Sequence, residues 1–193
     1  MSKEMKIVKK IEDGEMRLAY LTWKYAGTLV KALTERGLHI CSAESCTAGL
    51  VAAAVASIPG ASEVLDKSFV TYSEQAKADL VGVSMDTIRE YGVVSPQVAR
   101  QMADGAFGQA GAGVGIGITG YADPSSIQAG RVCIGVRAAC KQPAAGNDSM
   151  EKDLYCGVDY RFTGSRDVVR KKAAAAALAL AVIAVLDEDP LTD

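Results

Sequence analysis

Ser62, Tyr72 and Lys77 are polar residues whose types are compatible with a serine nucleophile and a base that activates it. A serine hydroxyl is a poor nucleophile until a base removes its proton. A lysine whose pKa has been lowered by burial can act as that base, and a tyrosine can orient or relay the proton. Taken alone, the spacing favours a simpler interpretation, in which Lys77 lies on a solvated helix face.

The turn at residues 44–49, with the sequence ESCTAG, lies between a predicted strand and a predicted helix. At a helix N-terminus, small hydroxyl residues and backbone N–H groups face outward, and the helix dipole adds positive charge. Ser45 and Thr47 are therefore candidate ligands for a phosphate or a carboxylate. An ordinary capped turn, in which these hydroxyls satisfy the N–H groups of the first helical turn, fits the same residues.

Two further candidates lie near the ends of predicted elements. The glycine-rich segment 115–124 predicts a buried strand that ends near Thr119 and Gly120, and α/β sheets bind ligands beyond the carboxyl ends of their strands. The glycines equally fit close packing against a helix. Arg166 opens the last predicted helix, where its planar guanidinium suits a bound anion or a surface carboxylate.

The composition of the 193 residues narrows the chemistry. The single histidine, His39, lies in an apolar segment with a strand pattern, so we expect it to be structural or partly exposed and not catalytic. The five cysteines are odd in number, scattered and without a CxxC pair, which predicts reduced thiols and neither a disulfide framework nor a zinc site. We expect no metal and no other cofactor.

The charge balance and the hydropathy pattern argue against nucleic acids and membranes as partners. Lys and Arg total 21 against 23 for Asp and Glu, so the basic excess of a nucleic-acid-binding protein is missing. Residues 1–15 are charged throughout, which is unlike a secretory signal. The longest apolar run, 173–186, is shorter than the ~20 residues that span a bilayer and is typical of a buried helix. We expect a cytoplasmic protein with no membrane partner.

Helical and extended patterns alternate along the chain. Such alternation, followed by a hairpin pattern, predicts an α/β fold, a three-layer α/β/α sandwich with a mixed β-sheet. We expect one domain over residues 1–193, with its core at about 18–186 and a charged lead-in at 1–14. The predicted helices are 18–37, 50–56, 73–81, 84–91, 95–107 and 164–186, and the predicted strands are 38–43, 68–72, 114–119, 131–139 and 154–162, the last two joined through 141–150.

Six motifs follow one another along the chain. They are AESCTAG (43–49), PGAS (59–62), VTYS (70–73) with Lys77, GVVS (92–95), Thr119-Gly120 and FTGSR (162–166). In this order they resemble the CinA C-terminal domain family, whose enzymatic members are nicotinamide mononucleotide deamidases, over about residues 20–186. The resemblance implies an amidohydrolase of pyridine-nucleotide salvage that converts nicotinamide mononucleotide to nicotinic acid mononucleotide and ammonia without a metal.

The resemblance also implies roles for single residues. Ser62 matches the family's nucleophile and Lys77 its base, with Tyr72 beside them. A nucleotide is the implied small-molecule substrate, and a homodimer or larger homo-oligomer is the implied assembly. The positions that match the substrate site are Ser45, Thr47, Gly49, Thr119, Gly120 and Arg166.

Three features depart from the family pattern. Ala48 stands where the family usually has a glycine. Asp123 also replaces a glycine, in a shortened loop, and brings a carboxylate to where an anionic nucleotide would lie. The large N-terminal domain of full-length CinA proteins is not in the sequence, so we expect the stand-alone form. These departures favour an alternative function, a nucleotide-binding or regulatory module with weak or lost hydrolysis or with another carboxamide as substrate.

Overall fold

A computed structural model describes residues 2–12, 18–110, 113–140 and 152–187 of the chain. At its centre the described residues form one mixed sheet, and its strands are β1 (Ile40–Glu44), β2 (Leu65–Val70), β3 (Val114–Gly120), β4 (Arg131–Cys140) and β5 (Lys152–Arg161). Their order across the sheet is β2-β1-β3-β4-β5. β1 pairs in parallel with β2 and β3, whereas β4 is antiparallel to β3 and β5. The predicted mixed sheet is confirmed, and the connection at 141–150 lies outside the described residues.

Helices cover both faces of the sheet, which confirms the three-layer α/β/α arrangement. One face carries α1 (Lys3–Glu12), α2 (Leu18–Arg36), α3 (Leu50–Ala56) and α7 (Arg166–Leu186). The other face carries α4 (Glu74–Val81), α5 (Met85–Tyr91) and α6 (Pro96–Ala110). The alanine-rich part of α7 is buried against the sheet, as its apolar pattern predicts. In the part of the chain that the structure describes, no helix is long and apolar enough to cross a membrane.

Glycines in β3 let α6 pack close to the sheet. A Cβ atom on Gly115 would lie 2.3 Å from the carbonyl oxygen of Ala103, and one on Gly117 would lie 2.2 Å from that of Ala99. No real Cβ atom fits at such distances, so these two positions require glycine. The packing interpretation of the glycine-rich strand is therefore confirmed for its buried half.

The N-terminal segment differs from its predicted role as a charged lead-in. Residues 3–12 form α1, which buries Ile7, Val8 and Ile11 in the core beside α7. These three residues follow helical spacing, but the four lysines of α1 make its apolar stripe hard to recognise in the sequence. The core therefore extends further towards the N-terminus than residue 18.

Strand β2 begins and ends earlier than its sequence pattern predicts. It starts at Leu65, and it ends at Val70 instead of Tyr72. Because β2 is an edge strand, it tolerates the exposed charged residues Asp66 and Lys67, which interrupt the alternation of apolar residues. The earlier end leaves residues 71–73 as a short connection at the carboxyl end of the strand.

Candidate active site

A pocket of about 220 Å³ lies at the carboxyl ends of the parallel strands. β1, β2 and β3 run in the same direction, so the segments that follow them meet at one edge of the sheet. These segments are the turn 45–49, the connection 71–73 and the loop that begins at Tyr121. Of the residues predicted from the sequence, the pocket is lined by Ser45, Tyr72, Lys77, Thr119, Gly120 and Arg166.

The Lys77 side chain is fully buried, and its amino group meets the hydroxyl of Ser45. Its Nζ lies 3.1 Å from Ser45 Oγ, 2.7 Å from the carbonyl oxygen of Thr71 and 3.4 Å from that of Tyr72. Burial lowers the pKa of Lys77 to about 8, because the charged form loses its hydration. The interpretation of Lys77 as one of many solvated lysines is therefore wrong.

The connection between β2 and α4 fixes Lys77 in this position. Ser73 caps α4, and its hydroxyl accepts a hydrogen bond from the backbone N–H of Ala76 at 3.0 Å. Lys77 follows in the first turns of that helix, and its long side chain turns back to the carbonyl groups of the same connection. The strand end and the capped helix together hold the amine against the turn after β1.

Ser62 lies away from this pocket. It is exposed in a single turn of 3-10 helix, Ala61–Glu63, which comes just before the amino end of β2. The pocket lies at the carboxyl ends of the strands, so Ser62 is at the opposite edge of the sheet. Ser45, and not Ser62, is therefore the serine that contacts the buried lysine.

Tyr72 and Arg166 form a second contact at the pocket. Nη2 of Arg166 donates a hydrogen bond of 2.8 Å to the Tyr72 hydroxyl, and both side chains are exposed to solvent. Tyr72 meets Lys77 through its backbone carbonyl, whereas its hydroxyl faces the guanidinium. Tyr72 is thus within the predicted site, but this geometry does not give its hydroxyl a place in a proton relay to Lys77.

The remaining predicted ligands divide into two groups. Thr119 and Gly120 line the pocket, and the Thr119 hydroxyl donates to the Val93 carbonyl at 2.9 Å. Thr47 and Gly49 do not line it. The Thr47 hydroxyl is fully buried and has no hydrogen-bond partner among the described residues, and the Gly49 N–H donates to Glu44. The turn therefore offers Ser45 to a ligand, but not the hydroxyl of Thr47.

Glu44 occupies the N-terminus of α3, where the sequence predicts a site for a bound anion. Its buried carboxylate accepts hydrogen bonds from the backbone N–H groups of Gly49 at 2.9 Å, Val51 at 3.2 Å and Ala52 at 3.1 Å, and from the Ser42 hydroxyl at 3.1 Å. The chain's own carboxylate thus supplies the negative charge that the helix dipole favours. The turn is capped, but by the Glu44 carboxylate and not by the Ser45 and Thr47 hydroxyls that the sequence suggested.

Replacing Glu44 by glutamine is expected to lower the free energy of unfolding by about 2–4 kcal/mol. One carboxylate oxygen becomes an amide NH₂ group, which faces a backbone N–H group and cannot accept its hydrogen bond. Urea denaturation at neutral pH measures the change. Glu63→Gln, at an exposed position, is the matched control and is expected to change stability by less than ~0.5 kcal/mol. Equal effects of the two substitutions would contradict the capping role of Glu44.

Ala48 has a left-handed backbone conformation with φ at 50°, which an alanine rarely adopts. The residue is exposed and does not line the pocket, so its methyl group leaves the ligand space unchanged. Ala48→Gly is expected to raise the free energy of unfolding by about 0.5–1 kcal/mol, because glycine adopts this φ without strain. Urea denaturation tests this beside Ala53→Gly in α3, which is expected to lower stability by up to ~1 kcal/mol.

Two residues of the site were missed at the sequence level. Arg170 of α7 donates to the carbonyl oxygens of Cys46 at 2.9 Å and Thr47 at 3.1 Å, and so ties the turn after β1 to the last helix. Its position one helical turn after Arg166 was the only available signal. Cys46 lines the pocket beside Ser45, but burial raises the pKa of its thiol to about 11, so it stays protonated and is a weak nucleophile.

The other sequence expectations concern groups away from the pocket. His39 is exposed and precedes β1, as expected for a histidine without a catalytic role. Cys41, Cys46, Cys133 and Cys156 are free thiols. Among the described residues, no group of three His, Cys, Asp or Glu side chains is arranged to hold a metal ion.

Comparison with known proteins identifies the family. The model of the CinA C-terminal domain matches residues 23–184, which is most of the chain. The chain belongs to this family. The resemblance inferred from the motifs is thereby confirmed, and CinA-superfamily structures share the fold. The competence/damage inducible protein CihA from Agrobacterium tumefaciens superposes with a TM-score of 0.74 and 33% identity, over 86% of this chain and 95% of that protein.

The chain covers different shares of two of its curated relatives. A CinA-like protein from Syntrophobacter fumaroxidans is 42% identical over 163 residues, which are 82% of this chain but only 35% of that protein. The chain thus spans about a third of such relatives. The nicotinamide-nucleotide amidohydrolase PncC from Enterobacter agglomerans is 39% identical over 155 residues, which are 78% of this chain and 87% of that enzyme.

Proposed function

We propose that this CinA-family chain is an amidohydrolase that converts nicotinamide mononucleotide to nicotinic acid mononucleotide and ammonia, with Ser45 as nucleophile and Lys77 as base. The observation that carries the proposal is the 3.1 Å contact between Ser45 Oγ and the buried Nζ of Lys77 in the pocket. The likeness to the PncC amidohydrolase over 87% of that enzyme's length supports the substrate.

The surroundings of Lys77 suit a neutral amine. A neutral amine has two N–H donors and one lone pair, whereas a protonated one has three donors and no acceptor. In the structure Nζ donates to Ser45 Oγ and to the carbonyl oxygens of Thr71 and Tyr72. In the neutral amine the two carbonyl oxygens, at 2.7 and 3.4 Å, accept the two N–H groups, and the lone pair accepts the proton of the Ser45 hydroxyl. With a pKa of about 8, a useful fraction of Lys77 is in this form near neutral pH.

The chemistry then runs in two steps. Ser45 Oγ attacks the carboxamide carbon while Lys77 takes the hydroxyl proton, and Lys77 returns this proton to the nitrogen as the C–N bond breaks and ammonia leaves. In the second step Lys77 takes a proton from water, the resulting hydroxide attacks the Ser45 ester, and the proton returns to Ser45 Oγ as the acid is released. Base, acid and nucleophile come from the protein, so we propose that the reaction needs no metal.

Two observations extend the proposal to the rest of the pocket. Thr119 and Gly120 form its wall at the end of β3, and Arg166 brings a positive charge to its rim, where the phosphate of a nucleotide can bind. Arg166 also donates to Tyr72, so these two residues hold one another in place. The nucleophilic and anion-binding parts of the site come from opposite ends of the chain.

Ammonia release from nicotinamide mononucleotide by the purified chain, in the presence of EDTA, tests this function. We expect ammonia and nicotinic acid mononucleotide in equal amounts, and at least tenfold less product from free nicotinamide, which has no phosphate. If the nucleotide binds by calorimetry but no ammonia is released, the alternative of a binding or regulatory module replaces the amidase. If EDTA stops the release, the proposed metal independence is wrong.

A further inference from the structure

Asp123 brings a negative charge into the lining of the pocket that holds Ser45 and Lys77. Asp123 is exposed at this pocket and has no part in the proposed proton transfer between Ser45 and Lys77. The carboxylate is held in position, because its Oδ1 accepts hydrogen bonds from the backbone N–H of Ser125 at 2.9 Å and from the Ser125 hydroxyl at 2.8 Å. These bonds lower its pKa, so it is ionised at neutral pH.

Asp123 is not simply the partner of Arg166. The guanidinium of Arg166 donates its 2.8 Å hydrogen bond to the Tyr72 hydroxyl, and it acts on Asp123 as a nearby positive charge. The pocket therefore presents the Asp123 carboxylate, held by Ser125, and the Arg166 guanidinium, held by Tyr72. A ligand that carries both signs of charge matches this arrangement better than a ligand with only one.

The remaining ionisable groups of the lining do not alter this pattern. Burial raises the pKa of Cys46 to about 11, so its thiol is uncharged, and the proposed reaction uses Lys77 in its neutral form. In this neutral form Lys77 does not repel a positively charged ring next to Ser45. Above the pKa of Lys77, Asp123 and Arg166 are therefore the charged side chains of the lining that a bound substrate meets.

We propose that Asp123 is a specificity-determining residue that selects carboxamides on a cationic pyridinium ring, by attraction between its carboxylate and the ring charge. The inference rests on the proposed function and adds the feature of the substrate that this chain recognises. Nicotinamide mononucleotide carries a positive ring and a negative phosphate, which fit Asp123 and Arg166. Its reduced form has the same carboxamide, ribose and phosphate, but an uncharged ring.

The test measures the dissociation constants of both forms of the nucleotide by calorimetry in the Ser45→Ala background, where no turnover occurs, with and without Asp123→Asn. Asparagine keeps the oxygen that Ser125 binds, so the loop retains its shape. We expect Asp123→Asn to raise the dissociation constant of the oxidised form about fivefold and to change that of the reduced form by less than twofold. This is the size expected for a solvent-exposed pair of charges. Asp79→Asn, exposed on α4 and outside the pocket lining, makes the same change in net charge and is expected to alter neither constant.

Each other outcome overturns the proposal in a recognisable way. If Asp123→Asn weakens the binding of both forms equally, Asp123 binds the ribose hydroxyls instead of the ring. If the variant binds both forms more tightly, Asp123 repels the phosphate. No change in either would remove Asp123 from recognition. If the unaltered chain neither binds nor hydrolyses nicotinamide mononucleotide, the proposed function itself fails, and that result is separate from the effect of Asp123→Asn.

Discussion

Replacing Ser45 by alanine is expected to lower kcat for nicotinamide mononucleotide by at least ~10³-fold, because the proposed covalent step has no other nucleophile beside Lys77. Cys46 does not replace it, since burial raises the pKa of its thiol to about 11. Binding is expected to survive, because the substitution removes one oxygen and leaves the walls and the rim of the pocket in place. Ammonia release measures the first effect and titration calorimetry the second.

Ser62→Ala is the matched control for this substitution. Ser62 is exposed in the 3-10 helix at the other edge of the sheet, so the same change there is expected to leave kcat and KM within about twofold of the unaltered chain. The opposite pattern, in which Ser62→Ala stops turnover and Ser45→Ala does not, would show that the contact between Ser45 and Lys77 is not the catalytic one.

Replacing Lys77 by methionine is expected to lower kcat by about 10²–10⁴-fold, the range that a positioned general base contributes. Methionine has a similar length and no amine, so it fills the buried space without supplying a lone pair. KM is expected to change little, because the proposed role of Lys77 is to move protons and not to hold the phosphate. Steady-state kinetics separate the two parameters, and circular dichroism checks that the variant is folded.

Lys31→Met is the control for Lys77→Met, because Lys31 is exposed on α2 and lies outside the pocket lining. We expect this variant to keep full activity. A Lys77→Met variant that is folded and retains more than a tenth of the wild-type kcat would exclude Lys77 as the base. The Ser45 hydroxyl would then have to be activated by a group other than the one it contacts.

The sequence was sufficient for the architecture because the local signals agree with the global fold. Ser73, Ser84 and Ser95 predict helix starts, and each of them caps a helix. The exceptions have physical reasons. Lysines mask the apolar stripe of α1, and charged residues on the edge strand mask the start of β2. In both places solvent exposure permits residues that break the pattern.

The site was predicted only in part, because pairing between distant segments decides it. The family resemblance implied Lys77, Tyr72 and Ser45 as site residues, but the contact of Lys77 with Ser45 follows from the direction of the strands. Ser45 follows the carboxyl end of β1, whereas Ser62 precedes the amino end of β2. Motif order along the chain does not contain this information, and parallel pairing of β1 with β2 supplies it.

Glu44 and Arg170 show a second limit of sequence reasoning. Glu44 was part of the recognised turn, but the number of backbone N–H groups that it binds depends on how the turn folds around it. Arg170 reaches the same turn from a helix more than a hundred residues later. Most buried polar groups have hydrogen-bond partners, and tertiary packing decides which groups these are.

The dependence of kcat/KM on pH tests the central claim most directly, that neutral Lys77 activates Ser45. Burial lowers the pKa of Lys77 to about 8, so the neutral form is lost as the pH falls below that value. We predict that kcat/KM for nicotinamide mononucleotide rises about tenfold per pH unit up to pH ~7.5 and levels off above ~8.5, since this parameter reports the groups of the free enzyme. A profile that is flat from pH 6 to 9, or that falls as the pH rises through 8, would contradict the claim.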